Sequence, residues 1–555
     1  MRIHASKMAE EKKGIDPELK EIVSSLMERG VLVSPDIFET LSSISDTKPI
    51  KEALKNNTSL LVLNKDILNT LLASKKVAID WMDLDRSRVL YEKKKQDSAY
   101  PSYVNYLNKI RDLDIDIKEK SGEGQELTPS VQIPPDDIIP INLYKETLLK
   151  LEVQNFISYL NSRYKSIESI LLNRRELQNV MSISRILSKR EREEISIVGM
   201  IRDKAITSKN KHIKLLLEDP SGIINVLVNK NNQELYSLAK DSVLDEVVGV
   251  RGVTGDKIVF ANSLLYPDIP MFKEMKKCKE EVYAVVLSDF HIGSTKFLDK
   301  DLEKAISWLK GEIGNESQKA IASKIKYLFI LGDLVDGVGV YPDQNKELII
   351  KDIYDQYEAC ASYLKEIPKS MRMIVIPGNH DAVRLEEPQP PLYEDLAAPI
   401  FKLPNVVMLS NPATVNLLQS GGFPGFDFLL YHGYSFMYYA DNVESIRLKG
   451  GVDRADLIMQ FLLQRRHLAP SHTSTLYHPT VNMDPLFIEK VPDFFLTGHL
   501  HKTNVSTYKN VTLISGSCWQ GKTSFMEKMG IHPEPSRVPI INLGTREVKI
   551  MRFGK

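Results

Sequence analysis

Five short segments of this 555-residue chain carry side chains able to hold metal ions. They are Asp289-Phe290-His291, Gly332-Asp333, Gly378-Asn379-His380-Asp381, His432-Gly433 and Gly498-His499-Leu500-His501. Five of the eleven histidines fall in them. With His380 set aside, the donors are Asp289, His291, Asp333, Asn379, His432, His499 and His501. Mixed oxygen and imidazole donors favour Mn²⁺, Fe²⁺ or Zn²⁺ over Mg²⁺ or Ca²⁺. The set is too large for one ion and suits two, with Asp333, central in the series, able to bridge them. Paired dications ~3.5–4 Å apart clamp the attacking and leaving oxygens of a phosphoryl transfer. Two dications, two aspartates and one hydroxide leave about one positive charge, enough to attract a phosphodiester anion. Singly, each segment reads as a surface pair, a core histidine or a turn. Five in series after apolar runs read as a site.

Those runs, YAVVLSD, KYLFILGD, MRMIVIPGN, FDFLLYHG and DFFLTGHLH, read as buried strands alternating with helical stretches from Glu281 onward. Ligands in such sheets gather beyond the strand ends. Alternation along a strand predicts that residues i and i+2 of D-x-H and H-x-H point the same way, toward one ion.

Upstream, the chain divides by pattern. Residues 1–14 are polar and expected to be disordered. Residues 15–80 show helical spacing (Leu19, Ile22, Val23, Leu26) and a Ser34-Pro35-Asp36 helix start, predicting an N-terminal helical module. Its role is either a protein-docking arm or a stabilising appendage. Residues 81–140, with KKKQDS, DLDIDIKEKSGEGQ and TPSVQIPPDDIIP, read as a flexible linker, the alternative being an extended part of a neighbouring domain. Residues 141–194 return to helical patterning, with Phe156, Leu160, Tyr164, Ile167 and Leu171 on one stripe. Residues 195–272 hold five short β-rich runs, which predict an OB-fold barrel. Its strands carry mostly Ile, Val and Leu, so contact with nucleic acid and a packing platform stand as equal readings.

Lys+Arg and Asp+Glu are both 73, which excludes a bulk polycation. The three cysteines (Cys278, Cys360, Cys518) lie far apart, against a disulfide framework or thiolate zinc site and in keeping with a reducing, cytoplasmic compartment. The opening MRIHASKMAEEKK has no apolar h-region, and no apolar run is long enough to span a bilayer, so neither a signal peptide nor membrane attachment is expected.

The five-segment series resembles the calcineurin-like metallophosphoesterase superfamily over residues 280–555. LEEPQPPL (385–392), SNPATVNL (410–417), RRHLAPSHTSTLYHP (465–479) and DPLFIEKVPDFFLTGHLH (484–501) are similar to the B-subunits of replicative DNA polymerases. Eukaryotic B-subunits have lost most metal ligands. This chain keeps them and so resembles the small subunits of archaeal family D polymerases. The resemblance implies a multidomain α+β protein: helical module, OB-fold barrel, and a phosphoesterase domain built as a two-sheet β-sandwich flanked by helices. It implies a dinuclear-metal, manganese-type 3′→5′ exonuclease for proofreading. The implied partners are a large polymerising subunit, the DNA primer 3′ end and, through the complex, a sliding clamp. Residue by residue, Asp289, His291, Asp333 and His501 match one metal site, and Asp333, Asn379, His432 and His499 the other. His380 matches a non-ligand histidine facing the leaving group, and Asp381 is expected to orient it. Asp336 reads either as a partner of a ligand or as a helix cap.

Two rivals follow. Ser/Thr phosphatases of this fold carry Arg after the second Asp of G-D-x-x-D, where this chain has Gly337. The other rival is a catalytically silent scaffold that only assembles and stabilises a polymerase. Complete ligands argue against it, since uncompensated buried Asp and His groups destabilise a fold.

Overall fold

The computed structural model describes residues 32–33, 62–63, 137–144, 152–189, 191–480 and 483–554. The chain forms two compact units, residues 1–125 and 126–555. Within the first, Leu32–Val33 pairs in parallel with Val62–Leu63. Both pieces lie in apolar, Val-containing runs (GVLVS, LLVLN) that suit strands, and they differ from the helical spacing expected there. The rest of the expected helical module, the terminus 1–14 and residues 81–136 of the expected linker lie outside the described residues.

The second unit begins where the linker and helical readings give way to the alternative of an extended piece of a neighbouring domain. Ile138–Leu143, straddling the border drawn between linker and helical segment, is a strand. It pairs antiparallel with Ala413–Leu417 at the edge of a sheet, with Pro140 at a register shift. An edge strand tolerates a proline that a central strand would reject. The helix Val153–Leu172 follows, burying Tyr159, Arg163, Tyr164, Ile167 and Leu171. Three residues of the expected stripe are among these, but Phe156 is exposed and Arg163 is buried in its place. Arg163 meets Asp484, 321 positions away, at 2.7 Å.

Five strands then close into a barrel: Glu194–Ile206, Ile213–Asp219, Gly222–Val228, Val247–Gly255 and Ile258–Leu265. Period-two alternation fills its interior with Ile213, Leu215 and Leu217 from one strand and Ile224, Val226 and Val228 from the next. The helix Gln233–Asp241 lies between the third and fourth strands. Buried Arg465–Glu246 (2.8 Å) ties the barrel to the region that follows.

That region is a sandwich of two six-stranded sheets. One runs Val406–Met408, Arg372–Ile376, Ile325–Leu331, Tyr283–Leu287, Arg537–Asn542, Val548–Arg552. Its first four strands are mutually parallel. The other runs Asn504–Tyr508, Val511–Ser515, Phe494–Thr497, Phe426–Tyr431, Ala413–Leu417, Ile138–Leu143. Phe494–Thr497 is parallel to both of its neighbours. Inner faces meet through Val286, Phe329, Phe428 and Phe494, the last two rings stacked 4.5 Å apart. The helices Asp299–Leu309 and Ile353–Lys365 cover the outer face of the first sheet through Trp308 and Tyr357. Strands buried on both faces read as continuous apolar runs, as these do. Parallel strands in both sheets bring many C-terminal ends to one edge. Among the described residues no helix is long and apolar enough to cross a membrane.

Candidate metal centre

Each ligand-type residue lies just past a strand end. Asp289 and His291 follow Tyr283–Leu287, Asp333 follows Ile325–Leu331, and Asn379 follows Arg372–Ile376. His432 follows Phe426–Tyr431, and His499 and His501 follow Phe494–Thr497. The alternation expected for D-x-H and H-x-H is replaced by left-handed turns: φ is 54° at Asp289, 53° at His291, 52° at Asp333, 69° at His499 and 56° at His501. Asp and His enter that region more readily than bulky residues, and strain of this kind concentrates at functional sites. The approach is close enough to require glycine. A Cβ at Gly378 would stand 2.2 Å from Asp333 Oδ1, and one at Gly332 would stand 2.6 Å from His432 Nδ1.

The turns bring the side chains into contact. His291 Nε2 and His501 Nε2 are 3.0 Å apart, and Asp289 Oδ1 is 3.3 Å from His501 Nε2. Asp333 Oδ2 lies 3.7 Å from His291 Nε2 and 3.4 Å from His432 Nε2. Asn379 Oδ1 is 3.0 Å from His432 Nε2. Asp333, His432 and His499 form one group whose ligand atoms lie within 4.8 Å of one another, and Asp289, His291 and His501 form another. His380 groups with His291 and Asp333. Its ring is held differently, however, with Nδ1 donating to the Asp336 carbonyl at 2.8 Å.

The donor chemistry fits divalent cations. His432 Nδ1 donates to the Leu331 carbonyl (2.7 Å), so in the neutral ring Nε2 carries a lone pair. That lone pair faces the Asp333 and Asn379 oxygens, so three electron-pair donors converge where only a positive charge makes sense. His291 Nδ1 likewise donates to Asp336 Oδ1 at 3.1 Å, turning its Nε2 toward His501.

The electrostatics agree. Burial alone would raise Asp333, but His432, His380 and His291 outweigh it and hold the carboxyl well below its usual range. Burial would lower His432, yet Asp333 lifts it to about 10. Burial and His432 push His499 down to about 3.

One sequence expectation changes here, and one left open is decided. Asp381 does not orient His380. Its oxygens accept from the backbone amides of Leu334 (3.1 Å) and Gly378 (2.8 Å), so it braces the turn beneath Asp333. Neighbours in a tight turn point apart, and the Asp336 carbonyl does the orienting. Asp336 itself is the carboxylate partner of His291 rather than a helix cap. Gln520 and Gln344 donate to it at 2.8 and 3.0 Å. Asn411, whose Oδ1 accepts from the His432 amide at 2.9 Å, is a further support. No local signal marks these three residues; Gln520 lies 184 positions from Asp336.

Residues 283–503 match the calcineurin-like phosphoesterase family, and residues 195–256 match an OB-fold nucleic acid binding domain. The chain is 38% identical over 403 residues to the DNA polymerase II small subunit of Methanothermobacter thermautotrophicus, covering 72% of this chain and 80% of that one. It is 36% identical to that of Pyrococcus furiosus, with 72% of this chain and 64% of the relative covered. The Archaeoglobus fulgidus small subunit is 36% identical over 73% of this chain and 78% of its own length. On its sequence, its barrel and its phosphoesterase sandwich, the chain belongs to the family of archaeal DNA polymerase II small subunits.

Proposed function

We propose that this small subunit carries a two-metal 3′→5′ exonuclease that removes mispaired primer ends, and that it supports a large polymerising subunit. One observation carries the reading: Asp333 Oδ2 lies within reach of both His291 Nε2 (3.7 Å) and His432 Nε2 (3.4 Å), one from each expected ligand set. A carboxylate shared in this way is what a pair of ions requires. Asp289, His291, Asp333 and His501 would hold one, and Asp333, Asn379, His432 and His499 the other, with manganese the favoured metal. When bound, two such cations lower the pKa of water toward ~7 and neutralise charge developing on a phosphoryl group.

The chain's own residues do the rest. Asp336 keeps His291 in one tautomer, and the Leu331 carbonyl does the same for His432. His380, pinned through Nδ1, has Nε2 free: as the imidazolium, having taken a proton from solvent, it would present Nε2–H to the departing 3′-oxygen of the penultimate nucleotide and return to the neutral ring. His380→Ala is therefore expected to bind metal and DNA normally but to cleave about 10²–10⁴-fold more slowly. Single-turnover digestion reads this, and a wild-type rate would remove His380 from the reaction. Asp336→Ala is expected to weaken metal binding about 10–100-fold, as measured by calorimetric titration with Mn²⁺.

The deciding assay is digestion of a mismatched primer–template with Mn²⁺, with and without the large subunit. Metal-dependent loss of the mispaired 3′ nucleotide supports the reading. The same chain stabilising the large subunit while leaving every primer intact would make it a silent scaffold.

A further inference from the structure

His291, Asp333, Asn379, His380, His499 and His501 of the metal centre line a cavity of about 510 Å³. Its wall beyond His380 is apolar and partly aromatic, with Val340, Tyr341, Phe525 and Met529. Tyr341 lies 6.2 Å from His380, ring to ring. Tyr341 and Phe525 lie 5.4 Å apart with their planes inclined by only 30°. Phe525 is 44% exposed. These rings come from segments far apart in sequence, and Glu347 joins them: one oxygen accepts from the Tyr341 hydroxyl (3.4 Å), the other from the Ser524 amide (3.3 Å). The pair is thus built into the wall rather than left over from the core.

Gly337 strengthens the point. Its φ is 75°, and a Cβ there would stand 2.3 Å from the His380 carbonyl oxygen. No side chain fits where phosphatases of this fold place a phosphate-gripping arginine. What stands beside His380 here is flat and apolar. In a nucleic acid, the flat apolar part next to a phosphate is the base. Cavities of ~300–1,000 Å³ take single small ligands, so a duplex does not enter and the base must be out of its stack.

We propose that Tyr341 and Phe525 form a platform on which the penultimate base of the digested strand stacks, making an unpaired end a condition for cleavage. The assignment to the penultimate base rests on the exonuclease reading, because His380, beside the platform, faces that nucleotide's 3′-oxygen. The platform thereby senses whether the nucleotide that will become the new end is paired.

The test uses the full chain with Mn²⁺ and a single-stranded oligonucleotide. This probe carries 2-aminopurine at the penultimate 3′ position and a phosphorothioate at the terminal linkage. Wild type is expected to quench the fluorescence by stacking. Tyr341→Leu/Phe525→Leu is expected to abolish the quench and weaken binding about 5–150-fold, the range of one base–aromatic stack. Phe525→Trp is expected to keep both. Thermal melting checks that the variants fold, which is expected because neither ring belongs to the main core clusters of the described residues. Absence of quenching by wild type, or quenching that survives the double substitution, overturns the platform. Digestion of an unmodified strand in parallel separates the two ideas. Cleavage without quenching removes the platform alone, and quenching without cleavage removes the exonuclease and leaves a base-binding site.

Discussion

Asp333→Ala is expected to abolish metal-dependent digestion, by more than about 10³-fold, while leaving association with the large subunit unchanged. The size follows from the position. Loss of a single electrostatic stabiliser of a transition state costs about 10²–10³-fold, and Asp333 would serve both ions at once. Its Oδ1 accepts from the His380 amide at 2.8 Å, so the substitution also frees the segment carrying His380. Asp333→Asn is the gentler companion. It keeps the shape and that hydrogen bond but removes the negative charge that lifts His432 to about 10. Calorimetric titration with Mn²⁺ should show two equivalents for wild type and fewer than one for either variant. Co-purification with the large subunit supplies the control. If both variants digest primers like wild type, the site is not the source of the nuclease. If wild type takes up two ions but cuts nothing, the scaffold reading stands.

The sequence exposed the donor set because this fold places chemistry where apolar runs stop. Leu287, Leu331, Ile376, Tyr431 and Thr497 each end a strand, and every proposed donor lies within five residues beyond one of them. The barrel was legible for a related reason, since period-two alternation in Ile213–Asp219 needs no distant partner to be recognised. What stayed hidden depends on distance or on backbone detail. The left-handed turns at Asp289 and His291 replace the strand alternation that their spacing suggested, because a turn is set by what the backbone must approach. Asp381 sits beside His380 in the chain yet braces Gly378 and Leu334. The edge strand Ile138–Leu143 was masked by Pro140, which reads as a breaker unless its position at a sheet margin is known. Gln520 reaches Asp336 across 184 positions, a pairing that only the fold creates.

Distance also hides the interaction that anchors the helix Val153–Leu172, and the second large effect is expected there. Arg163 Nε meets Asp484 Oδ2 at 2.7 Å with both side chains 1% exposed. Tyr159 donates to the other oxygen (2.7 Å), and His467 Nε2 lies 2.7 Å from the oxygen that Arg163 uses. Arg163→Met should destabilise the unit by about 3–5 kcal/mol, because it leaves a buried carboxylate without its cation. Calorimetry would register an earlier transition. Arg163→Met/Asp484→Leu should recover much of the loss, since removing both charges removes the desolvation penalty as well. A double variant no more stable than the single one would mean that the helix is held by shape rather than by the pair.

The cluster also has a pH signature. Burial and Arg163 depress His467 to about 4, and although burial would raise Asp484, His467 and Arg163 hold it well below the usual carboxylate range. Both groups are depressed in the folded state, so the unfolded chain binds protons first as pH falls. The stability His467 contributes is present above about pH 6.5, the ordinary histidine value, and is lost as acid carries the ring through its folded value of about 4. The part from Asp484 persists down to about pH 4, the ordinary carboxylate value, and is lost below it. Arg163→Met removes one cause of that depression, so His467 should titrate at higher pH, visible in its imidazole resonances. A His467 that titrates unchanged in the variant would show that burial alone sets it, and that Arg163 acts on Asp484 without reaching the ring.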